Sequence, residues 1–88
     1  MAYFLYILQC ADNSLYTGTT NDIEKRMAVH ASGKGSKYVR SRLPFKLIYQ
    51  AEFPDAKTAL AREREIKKWS RAEKLKLLRL SGRTTAAV

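Results

Sequence analysis

Eighty-eight residues, 45% of them apolar, suffice for one small domain with a modest core and argue against disorder throughout. Seventeen Lys and Arg against eight Asp and Glu leave a formal charge of +9, which points to a polyanionic partner, nucleic acid first. The single cysteine, Cys10, excludes an internal disulfide and a multi-cysteine zinc site, and the apolar run Tyr3 to Leu8 is too short for a signal peptide or a membrane span.

One cysteine suits a reducing cytoplasm, and Cys10 reads as a small buried hydrophobe. Charge alone leaves open a solvated basic surface or a ribosome-associated accessory protein. Tyr3 to Cys10 and Ser14 to Thr20 read as two strands around Ala11-Asp12-Asn13. Their register decides where Tyr6 and Tyr16 point. A two-residue turn would put the tyrosines on opposite faces. A three-residue loop, with Asn13 in the left-handed conformation, pairs Tyr6 with Gly18 and Leu8 with Tyr16. Both rings then share a face, and Gly18 leaves room for the Tyr6 ring. The three-residue loop is expected.

A helix is expected from about Asn21 to Ala31, opened by Asn21 with Glu24 three residues on. Its apolar stripe is Ile23, Met27 and Ala31, flanked by Arg26 and His30. An arginine against the sheet needs a partner or a ligand phosphate, unless it snorkels to water. Ser32 to Leu43 reads as a glycine-bearing basic loop carrying Lys34, Lys37, Tyr38, Arg40 and Arg42. Either it grips a nucleic-acid backbone, with Tyr38 available for base stacking, or it merely solubilises the chain.

After Pro44 a third strand alternates Phe45, Leu47, Tyr49, Ala51 and Phe53 with Lys46, Ile48, Gln50 and Glu52, so the first set forms one apolar face. Pro54-Asp55 opens a second helix to about Trp69, with a core stripe of Ala56, Ala59, Leu60 and Ile66. Glu63 falls within that stripe. A carboxylate there requires a salt bridge, with Arg26 for example, or a metal. Ser70 with Glu73 caps a third helix, roughly Arg71 to Leu80, whose cations Arg71, Lys74, Lys76 and Arg79 form a solvated face. The expected organisation is one α+β domain over residues 1–80, a three-stranded antiparallel sheet flanked by about three helices, with 81–88 as a flexible tail.

Phosphodiester hydrolysis needs a deprotonated water and relief of charge on a pentavalent phosphate. Glu63 could hold one magnesium or manganese ion with waters filling its other positions. Arg26 offers a fork that fits phosphate oxygens. Tyr6 and Tyr16 are weak bases at a reference pKa of about 10 and need a neighbouring cation, while His30 could assist through a water.

Leu5-Tyr6-Ile7, Leu15-Tyr16-Thr17-Gly18, Arg26 and His30 together resemble the signature of the GIY-YIG nuclease superfamily, in particular its small standalone bacterial members. The resemblance runs from about Phe4 to Trp69. It implies a one-metal active site built from Tyr6, Tyr16, Arg26 and Glu63, with Gly18 completing the second half-motif. His30 matches a histidine of some members that handles protons or contacts phosphate, and either tyrosine can serve as general base. Leu5 stands where the family has glycine, and Thr17 replaces isoleucine or valine. Thr19 and Thr20 stand where some members carry lysine. The late active-site asparagine of some members has no counterpart, the asparagines here being Asn13 and Asn21.

The resemblance implies a metal-dependent endonuclease in repair or DNA turnover, with DNA placed ahead of RNA as substrate and cleavage directed to structure or single strands. The alternative is a nucleic-acid-binding module with little or no catalysis. A cytosolic interaction protein with no nucleic-acid role fits the charge poorly.

Overall fold

The computed structural model describes residues 2–80. Its elements run β1 (Tyr3–Cys10), β2 (Leu15–Thr20), α1 (Ile23–Ala31), α2 (Lys37–Arg40), β3 (Phe45–Phe53), α3 (Ala56–Lys67) and α4 (Arg71–Leu80). The three strands form one antiparallel sheet in the order β2-β1-β3. The fold is therefore α+β, as expected, with a fourth helix. Residues 81–88, expected as a tail, and the side chain of Arg79 lie outside what is described.

The β1–β2 connection is the three-residue loop. Asn13 has φ 68°, and Cys10 N–H donates to Ser14 O at 2.9 Å. Asp12 Oδ1 accepts from the Ser14 N–H at 3.0 Å, an Asx turn that fixes the loop. The register follows: Tyr6 opposes Gly18 and Leu8 opposes Tyr16.

Central strand β1 is covered on both faces, so Leu5, Tyr6, Ile7 and Leu8 form an unbroken buried run. Leu5 and Ile7 pack with Ile48, Ile66 and Leu78 on the side of α3 and α4. Tyr6 and Leu8 pack with Val39, Ile23, Met27, Phe45 and Leu47 on the side of α1 and α2. Burying each of Leu5, Ile7 and Leu8 contributes about 1.5–3 kcal/mol, so the strand carrying Tyr6 is anchored from both sides.

Five expectations are corrected. The apolar set of β3 does not share one face, because the β1–β3 register slips between Ile7 and Leu8. Leu47 pairs with Leu8 and Tyr49 with Ile7, which turns Phe45 and Leu47 toward α1 and buries Ile48 on the opposite side. A bulge adds one residue and so exchanges the faces. In α1 the cap is Asp22, whose side chain accepts from Lys25 N–H, and Ala31 is exposed while His30 completes the buried stripe. Leu60 of α3 is 41% exposed, leaving Ala59 and Ile66 as that helix's buried residues. Within the basic loop, Ser36 caps α2 by accepting from Tyr38 and Val39 N–H, and buried Val39 pins the turn to the core.

The remaining caps match the sequence reading. Asp55 accepts from Thr58 N–H at 2.8 Å, and Ser70 and Glu73 exchange bonds in a capping box at 2.8 and 3.2 Å. Cys10 is buried, and burial pushes its thiol up. Among the described residues no helix is long and apolar enough to cross a membrane.

Candidate active site

The hairpin register sets Tyr6 and Tyr16 side by side, their ring centroids 6.4 Å apart. Tyr6 is enclosed at 1% exposure, whereas Tyr16 is half-buried. Gly18 is required by close approach: a Cβ there would stand 2.5 Å from Tyr6 Oη and 2.7 Å from Cζ.

With α1 phased by the Asp22 cap, Arg26 and His30 come one turn apart onto the side facing the tyrosines. His30 Nε2 lies 2.8 Å from Tyr6 Oη. Arg26 Nε–H donates to the same oxygen at 3.4 Å, and Arg26 Nη2 donates to Gly35 O at 3.2 Å. The imidazole packs edge-on against Tyr6, Tyr16 and Phe45 at centroid distances of 5.8, 5.6 and 6.0 Å. Its Nδ1 is buried without a hydrogen-bond partner, and a Cβ on Gly35 would come within 2.6 Å of it.

Burial, seconded by the Arg26 charge, holds His30 below its ordinary 6.5 and therefore neutral. Burial also pushes the Tyr6 phenol above its ordinary 10.0; the Arg26 hydrogen bond pulls it down, and Tyr16 and Glu63 push it up. Tyr6 thus keeps its proton at neutral pH until further positive charge enters the site.

Glu63, on α3, lies near enough for its charge to act on Tyr6. Thr19 Oγ1 donates to Glu63 Oε1 at 3.2 Å, and Lys67 Nζ lies 2.8 Å from Oε2. The salt-bridge partner is therefore Lys67, one turn on, where Arg26 was one candidate. Lys67 Nζ also stands 5.8 Å from the centroid of the Tyr16 ring. The Glu63 side chain is 15% exposed, so its carboxylate borders solvent.

Among the described residues no three His, Cys, Asp or Glu side chains cluster as a metal-binding group. A lone carboxylate bordering solvent still fits a hard cation that keeps most of its waters, as magnesium does. Of the two carboxylate oxygens, Oε1 accepts from Thr19 and Oε2 faces the Lys67 ammonium.

The five loop residues divide. Exposed Lys34, Lys37 and Arg40 line a concavity of about 420 Å³ with Gly33, Gly35 and Ser36, and no acid contributes to its wall. Arg42 is instead engaged by neighbouring surface groups. It pairs with Asp12 at 3.1 Å, donates to Tyr38 O at 3.1 Å and Ser41 Oγ at 3.0 Å, and lies 3.9 Å over the Tyr38 ring. Tyr38 in turn stacks on Tyr16 at 5.8 Å. The Tyr38 ring thus contacts Arg42 and Tyr16 while remaining 36% exposed. Of the α4 cations, Arg71 and Lys76 are exposed and Lys74 is half-buried.

Sequence reasoning did not single out Lys67 or Gly35, and it named Thr19 only as standing where some members carry lysine. The Glu63-to-Lys67 spacing of one helical turn was a readable signal; the approach of Gly35 to His30 had none.

The chain matches the family model described as the GIY-YIG catalytic domain over residues 2–76. It is 49% identical to a UPF0213 protein of Staphylococcus haemolyticus, over 86% of this chain and 93% of that one. A UPF0213 protein of Staphylococcus saprophyticus is 50% identical over the same shares. The solution NMR structure of a UPF0213 protein from Bacillus halodurans superposes with a TM-score of 0.62 at 46% identity, covering 93% of this chain and 87% of that one.

Proposed function

We propose, on the premise that this chain belongs to the GIY-YIG catalytic-domain family, that it is a metal-dependent endonuclease hydrolysing phosphodiester bonds in DNA. The observation that carries the reading is the meeting of a guanidinium, an imidazole and two phenols around Tyr6 Oη, with a solvent-bordering carboxylate nearby.

In this reading Arg26 holds the scissile phosphate with the part of its fork not engaged by Tyr6 and Gly35. The guanidinium then faces the charge that grows on the phosphorus oxygens. Tyr6 is the phenol placed for proton transfer: as a phenolate it would accept from both Arg26 Nε–H and His30 Nε2–H. Tyr16 forms the solvent-side wall against which the attacking water lies. His30, enclosed, acts through Tyr6 and does not touch phosphate. Glu63 would hold one magnesium or manganese ion, which supplies Lewis-acid relief of phosphate charge when bound.

Lys34, Lys37 and Arg40 bind flanking backbone phosphates. Such contacts position a strand without reading its sequence, which favours structure- or single-strand-directed cleavage in repair or DNA turnover within the cytoplasm. The test is a nicking assay with and without divalent ion on wild type, Arg26→Ala and Glu63→Ala. Metal-dependent cleavage by wild type alone supports the enzyme. Salt-sensitive binding without cleavage would replace it with a nucleic-acid-binding module.

A further inference from the structure

Lys67 stands where the metal reading needs free space. Its ammonium lies 2.8 Å from Glu63 Oε2, a charge-assisted contact, while Thr19 Oγ1 holds Oε1 at 3.2 Å. Both oxygens of the acid are thereby engaged by the protein. The carboxylate keeps spare lone pairs, but a dication on Oε2 would sit a few ångströms from the ammonium, and like charges that close repel.

The two partners differ in freedom. The Glu63 side chain is 15% exposed and fixed at one end by Thr19, whereas that of Lys67 is 50% exposed on the last residue of α3. Lys67 is therefore the partner that can leave. A second favourable position is near at hand: Nζ already lies 5.8 Å from the Tyr16 ring centroid, within reach of a cation–π contact.

We infer that the Lys67 ammonium is a built-in competitor for the divalent cation at Glu63, holding the carboxylate in place until the ion displaces it. This rests on the metal-dependent reading above and adds to it a residue that sets the metal affinity. Lys67 is a positioning residue in this account, acting through Glu63.

The test is Mn²⁺ binding to the full chain without nucleic acid, read by water-proton relaxation, for wild type, Lys67→Met, Lys67→Arg and Glu63→Gln. Removing a half-exposed ion pair should tighten Mn²⁺ binding to the Met variant by about two- to fivefold. The Arg variant should stay near wild type, and the Gln variant should lose the site. In wild type, independent of any substitution, added Mg²⁺ should shift the Lys67 ε-methylene NMR signals with the same saturation as binding. Equal affinity for wild type and Lys67→Met, with Glu63→Gln still abolishing binding, overturns the competition and leaves the metal site standing. No Mn²⁺ binding by any variant overturns both.

Discussion

Tyr6 Oη and His30 Nε2 meet at 2.8 Å although 24 residues separate them in the chain, while the other ring nitrogen of His30 has no partner. An imidazolium here would carry an N–H at Nδ1 with no acceptor, beside the Arg26 charge. Geometry and electrostatics agree that His30 stays neutral on the folded protein.

That neutrality sets a pH dependence. Because folding depresses the His30 pKa, the unfolded chain binds the extra proton first as pH falls below about 6.5. The stabilisation is complete above that value and is lost below it, down to the folded pKa, at no more than about 1.4 kcal/mol per pH unit. Asp12 and Asp55 are also held below their ordinary 3.8, so they act only at lower pH. Urea midpoints measured between about pH 7.5 and 5 should fall for wild type and stay flatter for His30→Gln. Parallel curves would refute the neutral-histidine assignment.

Gly18→Ala should destabilise the fold by about 1–3 kcal/mol, since its methyl would start 2.5 Å from Tyr6 Oη in a ring pocket closed by His30. Shrinking the ring should recover part of that loss. In a thermal-melt cycle, Gly18→Ala combined with Tyr6→Leu should cost less than the sum of the two single changes. Strict additivity would mean the ring and the glycine do not oppose each other.

The tyrosine register was legible because one short loop decided it. Asn13 tolerates φ 68°, and three loop residues place both rings on one face. Glu63 was legible as a carboxylate on an apolar stripe. The face exchange in β3 was hidden, because a bulge at Ile48 leaves the alternating pattern of Phe45 to Phe53 unchanged on paper. The division of the basic loop was hidden for another reason. Arg42 and Arg40 are alike in sequence, and the ion pair that engages Arg42 depends on the folded position of Asp12, thirty residues away.

Arg26 uses two different nitrogens in the free protein, Nε toward Tyr6 and Nη2 toward Gly35 O. A lysine could keep the charge but not that two-point placement. Under single-turnover conditions Arg26→Ala should lower cleavage by about 10²–10³-fold, and Arg26→Lys should recover less than about a tenth of the loss. A lysine variant with wild-type turnover would show that only charge is needed.

Salt dependence should separate the cations proposed to grip phosphate from the one engaged within the protein. Lys34, Lys37 and Arg40 line an acid-free concavity, so each can release a condensed counterion when it meets a phosphate. Replacing all three with alanine should flatten the slope of log affinity against log salt by about 2–3, roughly 0.7–0.9 for each phosphate no longer neutralised. Arg42 is already engaged by Asp12, by Tyr38 O and by the Tyr38 ring. Arg42→Ala should therefore leave the slope unchanged and lower the melting temperature instead, loosening the Tyr38 that stacks on Tyr16. A slope reduced by nearly one unit in Arg42→Ala would place that guanidinium on the substrate after all.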